Sequence, residues 1–325
     1  MIMTRELPLH FDPPFVEKAV FLAEHERPSQ RGLEKLRNRV YQVADPDRRE
    51  KLFAALYLSW FERLGLGQII RRALNEQTLL HPLIANCYIV CATQASQEGA
   101  ELFVAPDGAS AAPRRTLRVL LRPESLLNAP SALAFLRHEL FHIADMLDPA
   151  FGYEPALPKT DGGPSYDKLI VDRYRVLWDT AIAGRMVRRG WLPAAVRHRQ
   201  LEDFRLAFVM LPEAAEACFA RFFDGEQPSH KELAAFAFDP RGAAGEPATP
   251  SSAHARCPLC KFPTHAFEPA AEHLAAEIIA AIARDFAHWR PAQGLCVQCA
   301  DLYRTRQLSL AAASALPGWN HSSVR

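Results

Sequence analysis

The segment from Ser131 to Leu147 reads SALAFLRHELFHIADML, and the rest of the chain can be interpreted around it. Its apolar residues recur at three- and four-residue spacing, which predicts a helix with a buried face. Ser131 is the expected N-cap, and Pro149 is expected to stop the helix. His138 and His142 are four residues apart, so this helix should present both imidazoles on one face.

The HExxH pattern of His138, Glu139 and His142 indicates a zinc site. Two imidazoles on one helix face can hold one Zn²⁺, and Glu139 can reach a zinc-bound water as general base. The metal lowers the pKa of that water, and Glu139 takes its proton as the water attacks a carbonyl. The alternative is a surface helix with incidental histidines. A largely buried helix makes that alternative costly, so we expect peptide-bond hydrolysis with Glu139 as the catalytic residue.

A catalytic zinc usually has three protein ligands, so a third must come from elsewhere in the chain. Asp148 would resemble the metzincin pattern, but Asp145 stands where that pattern has glycine. The predicted helix from Tyr166 to Arg189 offers Asp172 and Asp179, about 20° apart on an otherwise apolar face. Salt bridges to neighbouring arginines are the other explanation for these two carboxylates. We expect Asp179 to be the ligand, with Asp172 and then Asp148 as alternatives.

Several residues are candidates for supporting roles at this site. Asp145 falls near the histidine face and is expected to hydrogen-bond a ligating imidazole. Tyr153, Tyr174 and Arg175 are candidates for stabilising the oxyanion, with packing or surface roles as the alternative. The segment Arg115–Arg122 is predicted to be an edge strand on which a peptide substrate adds by β-augmentation.

A second metal site is predicted near the C-terminus from two CxxC pairs, Cys257/Cys260 and Cys296/Cys299. Each pair can present two thiolates to one tetrahedral Zn²⁺. The spacing of about 35 residues exceeds that of usual zinc ribbons, and a predicted helix, Ala271–Trp289, can fill it. Two separate redox or packing pairs are the alternative. A closed site of this kind would serve folding or docking. Three further cysteines are expected to be packing residues: Cys87, Cys91 and Cys218.

The predicted fold class is α+β, with a mostly helical zincin-like domain, a small sheet and a C-terminal zinc-ribbon-like module. The first 75 residues are expected to be helical, with Asp47 capping one helix. Residues 1–238 form the predicted catalytic region, 239–256 a linker, 257–309 the cysteine module and 310–325 a tail. Strands are expected at Cys87–Cys91, Glu101–Val104 and Leu117–Leu121, and a further helix at Ala194–Met210.

The composition narrows the classes of partner. The 325 residues include 38 Lys+Arg and 37 Asp+Glu, for a net charge of +1. A net charge this close to zero produces no strong positive electrostatic potential that would attract nucleic acid or an anionic membrane. No apolar run suggests a signal peptide or a membrane span, so a cytoplasmic protein without disulfides is expected. The expected partners are a protein or peptide substrate and a protein bound by the cysteine module.

The run from His138 to Asp148, followed by Gly152 and Pro155, resembles the HEFAHxLDMxDG…GxP signature of the Mlc titration factor A-like metallopeptidases. The resemblance covers about twenty residues. It implies a cytoplasmic zincin of the gluzincin type, with a sheet against the active-site helix. It also implies metal-binding roles for His138 and His142, a catalytic role for Glu139 and a supporting role for Asp145. Pro149 replaces a glycine of the signature, and no glutamate stands where the family has its third ligand.

Two other interpretations remain. The order of HExxH and then two CxxC pairs also resembles the SprT/Spartan-type DNA–protein crosslink proteases. Their downstream histidine ligand has no evident counterpart here, and the charge does not favour DNA. The non-enzyme alternative is a zinc-ribbon adaptor or regulatory protein in which the HExxH site is inert or structural.

Overall fold

The structure is a computed structural model that describes residues 7–26, 32–104, 115–160, 164–245, 256–262, 264, 267–268 and 271–315. Side chains are not described for residues 165 and 307–315. The chain divides into two compact units that interleave along the sequence. Unit 1 comprises Met1–Pro155, Trp178–Asp203 and Phe219–Leu233, and unit 2 comprises Ala156–Leu177, Phe204–Cys218 and Ala234–Arg325. The predicted domain boundary stays a prediction, because residues 246–255 of the linker lie outside the described residues.

Helices make up most of the described chain. In the first part they are α1 (Pro13–Glu26), α2 (Gly32–Tyr41), α3 (Pro46–Arg63), α4 (Leu66–Asn75), α5 (Leu80–Leu83) and α6 (Ala129–Leu147). They continue with α7 (Pro164–Arg188), α8 (Val196–Ala207), α9 (Ala215–Phe223), α10 (His230–Phe238) and α11 (Pro240–Ala243). The last two are α12 (Ala276–Asp285) and α13 (Val297–Ala315). Helix α13 therefore enters the stretch predicted to be a tail.

Four strands form the main sheet, in the order β1-β2-β4-β3. They are β1 (Leu9–Phe11), β2 (Asn86–Cys91), β3 (Gly99–Val104) and β4 (Arg115–Leu121). Strand β2 runs parallel to β1 and β4, whereas β3 is antiparallel to β4, with Glu101 opposite Arg118. The three predicted strands are confirmed. The predicted edge position of Arg115–Arg122 is wrong, because β4 lies between β2 and β3 and β3 forms the edge.

The sheet and α6 share one hydrophobic core in unit 1. Leu117, Val119 and Leu121 alternate inward along β4 and are at most 1% exposed. Leu140 and Ile143 of α6 belong to the same buried cluster. Each fully buried aliphatic side chain of this kind contributes about 1.5–3 kcal/mol, so α6 is held firmly against the sheet. The opposite side of α6 carries the histidines.

Both ends of α6 follow from local sequence. Asn128 caps the helix, since its Oδ1 accepts a hydrogen bond from the Ser131 N–H at 3.2 Å. The expected cap at Ser131 is therefore wrong, and Ser131 lies within the first turn. Asp148 is the extended C-cap before Pro149, so the helix stops where predicted. A similar shift occurs at α3, where Asp45 is the cap in place of Asp47.

Helix α7 makes a close crossing with α9 within unit 1. A Cβ atom added at Gly184 would lie 1.8 Å from the carbonyl oxygen of Phe223, a distance that real atoms cannot adopt. Arg188 donates to the same carbonyl. Glycine at 184 is therefore required for the two backbones to approach this closely.

The C-terminal part of unit 2 has a small core of its own. Strands β5 (Phe267–Glu268) and β6 (Leu295–Cys296) pair antiparallel. The cluster that packs around them includes Leu259, Ile282 and Trp289. Trp289 donates its indole N–H to the Gly294 carbonyl at 2.9 Å. Only the middle of the predicted helix Ala271–Trp289 is α-helical, as α12.

None of the described helices combines the length and the apolar character needed to cross a bilayer.

Candidate metal centres

Helices α6 and α7 bring two imidazoles and one carboxylate together. Nε2 of His142 lies 3.0 Å from Oδ1 of Asp179, and Nε2 of His138 lies 3.4 Å from the same oxygen. One potential ligand atom from each of the three residues lies within 4.8 Å of the others. The preferred third residue from the sequence, Asp179, is therefore the one that the tertiary structure places beside the histidines.

The spacing of these atoms suits a zinc ion. Zinc binds nitrogen and oxygen ligands at about 2.0–2.2 Å, which separates the ligands of a tetrahedral site by roughly 3.3–3.6 Å. The observed 3.0 and 3.4 Å between imidazole nitrogen and carboxylate oxygen are close to that range. His138, His142 and Asp179 thus fit a three-ligand zinc site without a large rearrangement.

The site is open on the side of Asp179. The exposed fraction of the side chain rises from 18% for His142 to 30% for His138 and 43% for Asp179. Catalytic zinc sites keep a position for water or substrate, whereas structural sites are closed by four protein ligands. The three potential ligands and the exposed side of this cluster are compatible with a metal site that keeps one position open.

Opposite charges hold this cluster together. Burial lowers the pKa of the His138 imidazole, but hydrogen bonds and charge attraction from Asp179 and Glu139 outweigh burial and raise that pKa to about 9. Burial opposes ionisation of Asp179, yet His138 and His142 hold the pKa of its carboxyl below the usual range. The cluster therefore favours a positive charge between the imidazoles and the carboxylate, supplied by a proton or by a metal ion.

Glu139 lies between the histidine pair and the edge strand of the sheet. Its Oε1 is 3.2 Å from Nδ1 of His138, and its Oε2 accepts the backbone N–H of Ala100 at 3.2 Å. If Nδ1 carries the proton and donates to Glu139, the Nε2 lone pair of His138 is free to face a metal. The contact from Ala100 was missed by sequence reasoning, because a backbone donor leaves no signal in residue type.

Asp145 lies close to the site but has partners other than an imidazole. Its carboxylate accepts hydrogen bonds from Trp178 at 2.7 Å, from Arg185 at 2.8 Å and from Gln227 at 3.0 Å. The expected bond to a ligating imidazole is not among them. An arginine in α7 is a stronger partner for a buried carboxylate than a neutral imidazole, because it offers charge and two parallel donors. Sequence reasoning missed all three donors.

The other proposed site residues lie in different surroundings. Asp172 forms an exposed ion pair with Lys168 at 2.7 Å, and Asp148 accepts the Ala150 N–H at 2.9 Å beside the end of α6. Neither belongs to a metal-binding group among the residues the structure describes. Salt bridging, which the sequence left open for Asp172, is what the structure shows, with a lysine as the partner.

The candidate oxyanion residues differ in their environment. Tyr153 is half-buried in unit 1, and its ring centre lies 5.7 Å from that of Trp178. Burial raises the pKa of its phenol, so it stays a neutral hydrogen-bond donor. Tyr174 is buried in unit 2, and Arg175 is exposed there. Tyr153 is linked to the histidine helix through Trp178, whose ring also contacts that of His142.

The four cysteines of the CxxC pairs form one cluster. Sγ of Cys257 lies 3.8 Å from that of Cys299, and Sγ of Cys260 lies 3.9 Å from that of Cys296. Zinc–sulfur bonds of about 2.3 Å separate the thiolates of a tetrahedral site by roughly 3.8 Å. The close contacts join one pair to the other, so the arrangement differs from two independent CxxC pairs. All four are free cysteines with the spacing of a tetrathiolate site.

Backbone amides support this cluster. The N–H of Cys296 donates to Sγ of Cys257 at 3.3 Å, and the N–H of Cys299 donates to Sγ of Cys296 at 3.4 Å. Although burial raises the pKa of the Cys257 thiol, amides of Cys296, Cys260 and Leu259 outweigh it and lower that pKa to about 7. Donors directed at sulfur stabilise the Cys257 thiolate, the form in which cysteine binds metal. Burial instead raises the pKa of the Cys296 and Cys299 thiols.

The remaining cysteines fit the packing role expected of them. Cys87 and Cys218 are buried, and Cys91 is half-buried. Burial raises the pKa of the Cys87 thiol to about 12. The metal-binding groups found in the described part of the chain include none of the three.

Comparisons with protein-family models, with curated proteins and with solved structures found no match for this chain.

Proposed function

We propose that this protein is a zinc-dependent metallopeptidase of the HExxH zincin type that carries a second, structural zinc in its cysteine cluster. The observation that carries the proposal is the convergence of both Nε2 atoms on Oδ1 of Asp179, with the Glu139 carboxylate beside them. The local resemblance to the Mlc titration factor A-like metallopeptidases supports it. In this proposal Asp179 would serve as the third ligand, the role that a glutamate has in that family.

The roles of the residues follow from their positions. His138, His142 and Asp179 would hold the zinc, which lowers the pKa of a water molecule and polarises a carbonyl. Glu139 accepts the proton of the attacking water and returns it to the nitrogen of the departing amine as the carbon–nitrogen bond breaks. Tyr153 is the proposed donor to the developing oxyanion.

Strand β3 is the proposed binding edge for the substrate backbone. Within the described residues only β4 pairs with β3, so one edge of β3 has no strand beside it. The Ala100 N–H lies on β3 and reaches Glu139, which places this edge next to the proposed general base. An extended peptide that adds to β3 would therefore bring a scissile bond close to Glu139.

The cysteine cluster has no position for a substrate, because four thiolates complete a tetrahedral site. We propose that its zinc holds the small core around Trp289 together and that the module docks a protein partner. Reduced thiols are needed for this role, which fits a cytoplasmic location.

Metal counting together with one substitution tests the proposal. The purified chain should contain two zinc ions, and Asp179→Asn and Cys260→Ser should each lose a different one. Glu139→Gln should keep both ions and lose cleavage of an unfolded protein substrate. Unchanged cleavage in Glu139→Gln would contradict the catalytic assignment. A wild-type chain that holds only the cysteine-bound zinc would favour the adaptor alternative.

A further inference from the structure

Asp145 is 2% exposed and lies on α6, three residues after His142. Its Oδ2 accepts the indole N–H of Trp178 at 2.7 Å and a guanidinium N–H of Arg185 at 2.5 Å. Its Oδ1 accepts a second N–H of Arg185 at 2.8 Å and the amide of Gln227 at 3.0 Å. A buried carboxylate is costly unless it is paired and hydrogen-bonded, and here both oxygens are satisfied.

The two α7 donors tie Asp145 to a fixed length of that helix. Trp178 and Arg185 are seven residues apart, so they lie on one face two turns from each other. A single carboxylate of α6 therefore fixes the position of α7 along its axis as well as its distance from α6. Asp179 directly follows Trp178 in the sequence, so fixing Trp178 also fixes the backbone of this proposed ligand.

Both donors also touch the HExxH segment itself. The ring centre of Trp178 lies 4.5 Å from that of His142, with the ring planes at 79°. The guanidinium carbon of Arg185 lies 4.6 Å from the ring centre of Phe141. The indole edge-to-face contact restricts the imidazole of His142, and the arginine restricts the neighbouring turn.

We propose that Asp145, through Trp178 and Arg185, positions His142 and Asp179 to bind one metal ion. Asp145 and its partners are positioning residues, since they act through the ligands. This inference rests on the proposed function, because it assumes that the His138/His142/Asp179 site binds a metal. In this proposal Asp145 does not bond an imidazole directly. It acts on the ligands through the indole of Trp178 and the guanidinium of Arg185.

Cobalt(II) titration of the full chain tests this role. A chelator first removes weakly held metal, and cobalt is then followed by its visible spectrum. Cobalt bound by histidine and carboxylate gives weak visible bands, whereas cobalt bound by thiolates adds intense sulfur charge-transfer bands, so the two sites are distinguished. Asp145→Asn removes the charge, and Trp178→Phe removes the indole donor while keeping an aromatic ring beside His142. We expect about 10–100-fold weaker cobalt binding at the histidine site in both variants.

Glu76→Gln is the matched control. Glu76 pairs with Arg137 at 2.7 Å, so this variant also converts a carboxylate that bonds an arginine, but that arginine belongs to α6 and not to α7. We expect it to lower stability and leave cobalt affinity unchanged. If Asp145→Asn does not fold, Trp178→Phe decides the question.

The possible outcomes separate the two proposals. Wild-type affinity in both Asp145→Asn and Trp178→Phe would overturn the positioning role and leave the proposed function intact. An equal loss in Glu76→Gln would also overturn it, because the effect would then follow general stability. If the wild-type chain shows no cobalt spectrum from the histidine site, the proposed function and the positioning role both fail.

Discussion

The Nε2 atom of His142 lies 3.0 Å from Oδ1 of Asp179, although 37 residues separate the two in the chain. His138 directs its own Nε2 to the same oxygen from one helical turn away. Three side chains from two helices therefore converge on one point. This convergence allows the proposed function to be tested residue by residue.

Asp179→Asn should remove metal from the histidine site while keeping the shape of the side chain. An amide oxygen is a much weaker zinc ligand than a carboxylate. Changes to residues outside the ligand set cost about 10–100-fold in metal affinity, so loss of a direct ligand should exceed about 100-fold. Asp172→Asn is the matched control, since Asp172 is on the same helix and pairs only with exposed Lys168 in the described structure. Competition with a chelator measures both affinities, and equal losses would argue against Asp179 as the ligand.

The metal-free protein should depend on pH through the His138–Asp179 pair. The pKa of His138 is raised to about 9, so the stability that protonation adds is complete below about pH 6.5 and is lost as pH rises through 9. The pKa of the Asp179 carboxyl is lowered in the folded state. Its ionised form therefore adds stability at pH values above the usual aspartate pKa, and this stability is lost as the pH falls from there towards the lowered pKa. The excess stability of wild type over Asp179→Asn should therefore be largest near pH 5–6. Thermal unfolding in chelator from pH 4 to 10 measures this excess, and a pH-independent difference would contradict the pairing.

Cys260→Ser should abolish the tetrathiolate site with little direct loss of packing, because Cys260 is exposed. Without the metal, the small core around Trp289 loses the link between its two CxxC pairs. Limited proteolysis with mass spectrometry should then show new cleavage within residues 256–306. Cys91→Ser is the control, since Cys91 lies outside the cysteine cluster. Protection equal to wild type in Cys260→Ser would mean that the module folds without its metal.

Gly184→Ala should destabilise unit 1, because the added Cβ would lie 1.8 Å from the Phe223 carbonyl oxygen. Relief requires α7 and α9 to move apart, and such overpacking costs about 1–3 kcal/mol or more. Gly190→Ala is a useful comparison. Gly190 has φ 66° and open space around it, so only the left-handed strain of about 1–2 kcal/mol is expected. Chemical denaturation gives both values, and a neutral Gly184→Ala would contradict the close crossing.

Much of the secondary structure could be predicted because its signals are local. The periodicity of residues 131–147 predicted α6, and short, mostly apolar runs separated by Gly/Pro/Ser-rich turns predicted β2, β3 and β4. The caps of α3 and α6 were predicted wrongly, because several nearby residues can satisfy the same N–H groups. At α6 the N-cap is Asn128, whereas the sequence predicted Ser131.

Two further errors share a physical cause, which is that both concern residues far apart in the chain. The order of strands within a sheet depends on how whole strands pack. The sequence predicted β4 to be an edge strand, whereas in the described sheet β4 is internal and β3 lies at the edge. The partner of Asp145 was assigned to a neighbouring histidine, whereas Arg185, 40 residues away, provides the stronger charge-assisted bonds.

The sequence by itself determined the chemistry that each segment can offer. Four-residue spacing on a helix puts His138 and His142 on one face, and CxxC spacing presents two sulfurs at one turn. Only the tertiary structure decided which carboxylate lies beside the histidine pair and that the two CxxC pairs form one cluster. Local spacing follows from backbone geometry, whereas the choice of Asp179 over Asp172 depends on how α7 packs against α6 in three dimensions.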